Sequence, residues 1–245
     1  MWSLAKLFKR VRPAPRGAAP LYERGLAIDE KAPRSDHPEA AAHLNDLALL
    51  LQAHGDLAGA RRLFESALAI YERALGPEHP DIATGLANLA GLRQAQGDLA
   101  GARPLFTRAL AIYEKMLGPE HPWTATSLNN LAGVLQDLGD LAGARPLYER
   151  ALAIREKMLG PEHPSTATCF SNLAHLLQDQ GDLSGALPLY ERCLEIRETA
   201  LGRENSWTKV AAQAMAATLD ALGRGDEAAA LRQRYGILPE SGKGG

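Results

Sequence analysis

Aromatic side chains are scarce in this chain of 245 residues, at 5%, although apolar residues as a whole reach 46%. Sheets favour aromatic and β-branched residues, whereas the alanine and leucine that dominate here favour helices. No apolar run approaches the roughly 18 residues needed to span a bilayer. The composition therefore predicts a helical protein without a transmembrane helix.

Cysteine is scarce too, with only Cys169 and Cys193. Their spacing fits neither a metal site nor a disulfide framework. The opening residues MWSLAKLFKR also lack the apolar segment and cleavage site of a secretory signal. A reducing cytoplasm is therefore the expected compartment.

A marked excess of positive charge is found at the start of the chain. Residues 1–16 carry five Lys or Arg and no acid, so the remaining residues hold 22 basic against 29 acidic side chains. An acidic surface repels a phosphate backbone. This balance argues against a nucleic acid partner.

Catalytic motifs are missing as well. The sequence has no phosphate-binding GxxxxGK, no HExxH and no nucleophile elbow. A Glu-His pair recurs at His79, His121 and His163, but these histidines are 42 residues apart and each precedes a proline. We interpret them as turn and helix-cap residues, because zinc ligands must all lie about 2.0–2.1 Å from one point. No catalytic residue, metal or cofactor is predicted.

The dominant feature of the sequence is a repeat. Five glycines recur at intervals of 42 residues, and segments 97–138 and 139–180 are identical at 32 of 42 positions; the glycines are Gly55, Gly97, Gly139, Gly181 and Gly223. Near-identical units present the same surface several times, whereas catalysis usually needs one asymmetric set of groups. The repetition favours binding over catalysis.

Each repeat contains two helical patterns. The first begins near Pro122, ends at Gly139 and has apolar residues spaced by three and four positions, namely Leu128, Leu131, Ala132 and Leu135. Asp140 is positioned to cap a second helix that ends at Gly160. Neither helix can bury its apolar face alone, so stability requires neighbouring units to stack.

The spacing of large and small residues resembles the tetratricopeptide signature; the residues are Leu131, Ala132, Leu135, Gly139, Ala144, Tyr148 and Ala151. A standard unit has about 34 residues. The 42-residue length, with NNLA, ARPL, RALAI and LGPEHP, resembles the repeats of kinesin light chains and their bacterial relatives. HEAT and armadillo repeats have similar periods but fit the Gly-Asp turn less well. The heptad segment that joins kinesin light chains to the motor is not seen, so no transport role is expected.

This resemblance implies an all-α fold: a tetratricopeptide α-solenoid of stacked antiparallel helix pairs in a right-handed superhelix. Residues 17–235 are predicted to hold about four full repeats plus partial terminal repeats, of which residues 17–32 align with a second helix alone. Residues 236–245 are predicted to be a disordered tail.

Residues 1–16 form a basic amphipathic segment with two interpretations. An apolar stripe at helical spacing matches the core positions of the other first helices, which favours a cap on the array; the stripe is Leu4, Leu7, Phe8 and Val11. The alternative is membrane contact through residues 1–12. In that case the protein would be a membrane-surface-associated assembly factor.

A second, polar stripe recurs on the first helices, and in this fold those helices line the concave groove. It comprises Thr84, Asn88 and Gln94; Thr126, Asn129, Asn130 and Gln136; and Thr168, Asn172, His175 and Gln178. A carboxamide both donates and accepts, so one Asn can satisfy the backbone of an extended peptide. By resemblance, Asn88, Asn130 and Asn172 match positions that contact peptide. Bracing between neighbouring helices is the alternative role.

The stripe lacks the Lys and Arg that relatives use to bind acidic ligands, which argues against a strongly acidic ligand. Arg93 is the exception, and it replaces a core leucine. The predicted function is therefore a protein–protein interaction scaffold, not an enzyme, that binds a protein or peptide ligand in the groove.

Overall fold

This computed structural model describes residues 37–237, and within them all regular structure is helical. The ten helices are α1 Pro38–Ala53, α2 Leu57–Leu75, α3 Pro80–Ala95, α4 Leu99–Leu117, α5 Pro122–Asp137, α6 Leu141–Leu159, α7 Pro164–Asp179, α8 Leu183–Leu201, α9 Ser206–Ala221 and α10 Gly225–Tyr235. First helices of 16 residues alternate with second helices of 19, until the shorter α10. The all-α prediction is confirmed.

The chain divides into two compact units between Leu138 and Gly139. In the amino-terminal unit, α1 packs on α2 and α3 on α4, and α5 packs on α4. In the carboxy-terminal unit, α6 packs on α7, α7 on α8, α8 on α9 and α9 on α10. Each unit is therefore built by stacking consecutive helices.

The first helices α3, α5 and α7 begin at a His-Pro pair. Proline suits the first helical turn because its missing N–H has no partner there. The preceding histidine accepts a hydrogen bond at Nδ1 from the second helical residue, as His79 does from the Asp81 N–H at 3.2 Å and His121 from the Trp123 N–H at 3.2 Å. The interpretation of these histidines as cap residues is confirmed.

The second helices α2, α4, α6 and α8 begin at an aspartate that accepts a hydrogen bond from a backbone N–H of the first turn. Asp98 Oδ1 accepts from the Gly101 N–H at 2.9 Å, and Asp140 does the same for Gly143 at 2.9 Å. A Cβ on Gly101 would lie 2.2 Å from the Asp98 carboxylate, so glycine leaves room for the cap. The helix α4 then continues through Pro104 to Leu117.

Each unit has its own apolar core. In the amino-terminal unit the core joins α1 to α4 around Leu44, Phe64, Ile82 and Leu86. In the carboxy-terminal unit a core cluster joins α7 to α10 and includes the buried Cys193 and Tyr235. The cores are therefore built from the apolar helix faces that the repeat predicts.

Several of the predictions concern the two ends of the chain. The predictions for residues 1–16 and 17–32, and for the tail from 238 onward, lie outside the described residues. Gly236 and Ile237 remain in the folded part, since the Ile237 N–H donates to the Arg232 carbonyl at 3.0 Å. Between residues 37 and 237, the helices are too short or too polar to cross a membrane.

Candidate peptide-binding groove

The amino-terminal unit contains a groove of about 200 Å³ between its first helices. It is lined by α1, α3, α4 and α5 through Leu49, Gln52, Thr84, Ala87, Asn88, Gly91, Phe106, Tyr113, Trp123, Thr126, Ser127 and Asn130. None of these side chains is charged. Four predicted site residues, Thr84, Asn88, Thr126 and Asn130, are thus brought together in one cavity.

The two groove asparagines have different environments. Asn88 on α3 donates from Nδ2 to Asn45 Oδ1 on α1 at 3.2 Å, which braces two first helices. Asn45 is itself 8% exposed, so its carboxamide depends on such a partner. Within residues 37–237 the Asn130 side chain makes no hydrogen bond, although it lines the groove and is half-buried. Asn130 is therefore the better placed of the two to meet a ligand.

The groove threonines are partly satisfied by their own helices. Thr84 Oγ1 lies 3.3 Å from the Pro80 carbonyl oxygen, and Thr126 Oγ1 lies 3.1 Å from that of Pro122. Thr84 also lies 2.7 Å from the Tyr113 hydroxyl, which ties α3 to α4. Each hydroxyl retains acceptor capacity toward the groove.

An aromatic wall in the groove was missed by the sequence reasoning. Trp123 stacks on Tyr113 with ring centroids 6.2 Å apart and planes 19° from parallel, yet 54% of Trp123 is exposed. The signal in the sequence is a departure from the repeat, since the equivalents of Trp123 one repeat away are Asp81 and Ser165. An exposed tryptophan in a neutral cavity is a typical anchor for a ligand.

Three other predicted residues of this unit lie outside the groove lining. Gln94 Nε2 donates to Asp137 on α5 at 2.8 Å, so it joins two first helices at their carboxyl ends. Asn129 and Gln136 are on α5 but do not contribute to the lining. That Asn129 and Gln136 contact a bound peptide stays a prediction.

In the carboxy-terminal unit the predicted residues are placed differently. Thr168 is exposed, and Asn172 is half-buried on the same helix, α7. The His175 Nδ1–H donates to the Ser171 carbonyl at 2.6 Å, and the His175 ring meets Tyr190 edge-on at 5.2 Å. Burial lowers the pKa of His175, so its imidazole is neutral near pH 7.

Gln178 in this unit is also engaged internally. Its Oε1 accepts a hydrogen bond from the Tyr190 hydroxyl at 3.0 Å. Burial raises the pKa of Tyr190, which keeps that hydroxyl a donor. Of the four stripe residues in this unit, His175 and Gln178 therefore both contact the buried Tyr190.

Charge on the first helices of the amino-terminal unit is mostly negative. Helices α1, α3 and α5 carry four carboxylates against one guanidinium; the acids are Glu39, Asp46, Asp81 and Asp137. That guanidinium belongs to Arg93, whose Nη1 reaches Asp98 at 3.5 Å. In the described part of the chain, no three His, Cys, Asp or Glu side chains are grouped to hold a metal ion.

Comparisons with known proteins identify the same kind of repeat along this chain. The profile described as tetratricopeptide repeat matches residues 17–73, 47–115, 81–157, 123–199 and 166–235. A crystal structure of nearly identical TPR-like repeats from a kinesin light chain of Podosopora anserina is 30% identical in sequence to this chain. It aligns with a TM-score of 0.71 over 82% of this chain and 95% of its own. No curated protein sequence matches this chain.

Two more distant structures share the fold alone. BtubC (BKLC) from P. vanneervenii is 23% identical, with a TM-score of 0.77 over 94% of this chain and 97% of its own. The MamA protein is 16% identical, with a TM-score of 0.53 over 80% of this chain and 89% of its own.

Proposed function

Since this chain belongs to the tetratricopeptide repeat family, with repeats like those of kinesin light chains, we propose that it is a protein-interaction scaffold whose amino-terminal groove binds an extended peptide. The membership confirms the fold predicted from the 42-residue repeat. The proposed role is binding rather than catalysis.

The groove that holds Asn130, Thr126 and Trp123 carries this proposal. It combines an aromatic surface with a carboxamide that has no hydrogen-bond partner in the described residues. An Asn side chain can donate to a peptide carbonyl and accept from a peptide N–H at once. Backbone contacts of this kind accept many sequences, so Trp123 and its surroundings supply the preference for a side chain.

The spacing of the groove suits an extended segment. First helices pack about 8–10 Å from the second helices that separate them, so neighbouring first helices lie roughly 10–20 Å apart. An extended chain rises about 3.3 Å per residue. Asn88 and Asn130 would therefore meet backbone groups separated by about three to six residues. In the carboxy-terminal unit, Asn172 and Thr168 offer a similar carboxamide and hydroxyl on α7.

The test is a titration with a partner segment captured by the full chain and mapped to a short peptide. Loss of one hydrogen bond costs about 0.5–1.5 kcal/mol. The variant Asn130→Ala should therefore weaken binding by about two- to twelvefold. Gln96→Ala, an exposed carboxamide at the turn before α4, is the matched control and should leave affinity unchanged. Equal affinities for wild type and a folded Asn130→Ala would mean that the partner binds elsewhere.

A further inference from the structure

We propose that the peptide held in the amino-terminal groove carries an arginine or lysine, whose cationic end lies over Trp123 and near the carboxylate of Asp81. This inference rests on the proposed function of the groove and deepens it by naming the charge of the ligand. It is argued from the charge of the surrounding helices, from the aromatic rim and from an equivalent contact in the carboxy-terminal unit.

The first helices of the amino-terminal unit attract cations. Among the Lys and Arg of the chain, these helices carry only Arg93. Its Nη1 lies 3.5 Å from the carboxylate of Asp98, which caps α4, and Arg93 is absent from the groove lining. The negative side chains include Asp46 and Asp81, both exposed. Because the lining itself is neutral, these neighbouring carboxylates make the first-helix side of the groove negative.

Asp81 lies one turn before the groove residue Thr84 on α3, and Thr84 Oγ1 lies 2.7 Å from the Tyr113 hydroxyl. The charge of Asp81 acts on both Tyr71 and Tyr113, adding to burial in raising the pKa of each tyrosine. Tyr113 in turn stacks on Trp123, whose outer surface is open. His79 also lies beside this carboxylate, with its Nδ1 3.5 Å from Asp81 Oδ2 and accepting a hydrogen bond from the Asp81 N–H. A carboxylate on the same side of the groove as an exposed indole ring is the chemistry that binds a cationic side chain.

The carboxy-terminal unit contains this contact within its own chain. Trp207 stands two repeats after Trp123 at the same register. The Arg197 guanidinium lies 5.7 Å from the centre of the Trp207 ring, and Arg197 Nη1 donates to the Trp207 carbonyl at 3.1 Å. At the register of Arg197 the amino-terminal unit has Tyr113, which is uncharged. Tyr113 therefore stacks on Trp123 where Arg197 lies over Trp207, and the exposed part of the Trp123 ring is left for a cation of the ligand.

The experiment screens a phage-displayed library of random dodecapeptides against the immobilised full chain, and then measures the selected peptides as fluorescent synthetic versions. The selected sequences should share a basic residue beside an apolar one. Replacing that residue with Gln should weaken binding by about two- to fivefold, the effect of a cation–aromatic contact at an exposed ring. Asp81→Asn and Trp123→Ala should each produce a similar loss and reduce the preference for Arg over Gln.

Matched controls separate the site from general effects. Ser165→Ala changes the equivalent first-turn position on α7, and Glu65→Gln removes a carboxylate from the exposed surface of α2; both should bind like the wild type. Asp81→Lys should reverse the preference and favour peptides in which Glu replaces the basic residue. Thermal melts establish that each variant is folded, and Asp81→Lys keeps the test available should Trp123→Ala fail to fold.

The contradicting outcomes are distinct. Selection of acidic peptides that lose affinity in Asn130→Ala would overturn this inference and leave the proposed function standing. Basic peptides indifferent to both Asp81→Asn and Trp123→Ala would do the same. A library that yields no binder, or binders unaffected by Asn130→Ala, would overturn the proposed function and this inference together.

Discussion

Asn88 and Asn130 occupy the same register one repeat apart, yet their surroundings give them different costs of removal. Asn88→Ala leaves the buried Asn45 carboxamide without its partner, which should lower the free energy of unfolding by about 0.5–1.5 kcal/mol. Asn130→Ala breaks no hydrogen bond in the described residues and should change it by less than about 0.5 kcal/mol. Denaturant unfolding of both variants checks this. Equal destabilisation would show that Asn130 also braces the fold.

The two thiols are expected to be unreactive in the folded protein. Burial raises the pKa of Cys169 to about 11, and burial also raises the pKa of Cys193. The thiolate is the reactive form, and at pH 8 very little of it is present at either residue. Ellman's reagent should therefore react slowly at pH 8 and rapidly once denaturant is added. Fast reaction in the native state would contradict the buried placement.

For individual residues, the sequence predicted the roles of those that recur in each repeat and missed the roles of those that do not recur. The caps, the core positions and the Thr–Asn stripe recur every 42 residues, so periodicity reveals them. Trp123 departs from the repeat, and its stack on Tyr113 is a contact that periodicity does not encode. The Asn88–Asn45 bond joins residues 43 apart, one position beyond the period, so alignment of repeats hides it.

Among the elements, the short last helix α10 is held by Tyr235. The Tyr235 hydroxyl donates to Glu198 on α8 at 2.6 Å, and Arg203 and Arg234 also contact this carboxylate. The bond from Tyr235 lowers the pKa of Glu198, while burial and the same bond raise the pKa of Tyr235 to about 12. The last helix is thus fastened by a bond that depends on both protonation states.

Stability should therefore fall at both extremes of pH. Glu198 stabilises the fold above the pKa of an unfolded carboxyl group and stops doing so as pH falls through its lowered pKa. The Tyr235 contribution is complete below its ordinary value of 10.0 and is lost as pH rises toward about 12. Denaturant unfolding between pH 9 and 12 should be less pH-dependent in Tyr235→Phe. An unchanged alkaline slope in that variant would assign the loss to other groups.

Two roles are possible for the basic segment 1–16: a cap on the array or a helix on a membrane surface. As a cap, its removal should lower the melting temperature, and the intact chain should ignore anionic lipid vesicles. As a membrane-surface helix, its removal should leave melting unchanged and abolish vesicle binding. Melting and lipid co-sedimentation of the full chain and the deletion decide between them. Vesicle binding lost without any change in melting would reject the favoured capping role.

For the molecule as a whole, stability comes from many buried contacts along the repeats rather than from surface charge. Leu131 is 7% exposed, and Leu131→Ala should cost about 2–5 kcal/mol. Glu149 pairs with Arg145 on the exposed surface, so Glu149→Gln should be nearly silent. Thermal melts followed by circular dichroism compare the two. A silent Leu131→Ala would contradict the buried placement of this helix face.

The fold could be predicted at this scale because every level of the sequence agrees. From α1 to α8, histidine and proline begin the first helices, aspartate begins the second helices, and a glycine follows the end of each. The ligand could not be predicted in the same way, because repetition fixes the scaffold, while recognition depends on side chains that vary among repeats.

The most direct test of the peptide-binding groove uses the indole N–H signals of the three tryptophans in a ¹⁵N-labelled sample. Each signal is assigned with a Trp→Phe variant, and a library-selected peptide is then titrated into the full chain. The Trp123 signal should move in proportion to bound peptide, while the Trp207 signal, whose ring already carries Arg197, stays in place. A bound peptide that leaves the Trp123 signal unmoved would contradict the placement of the ligand in this groove.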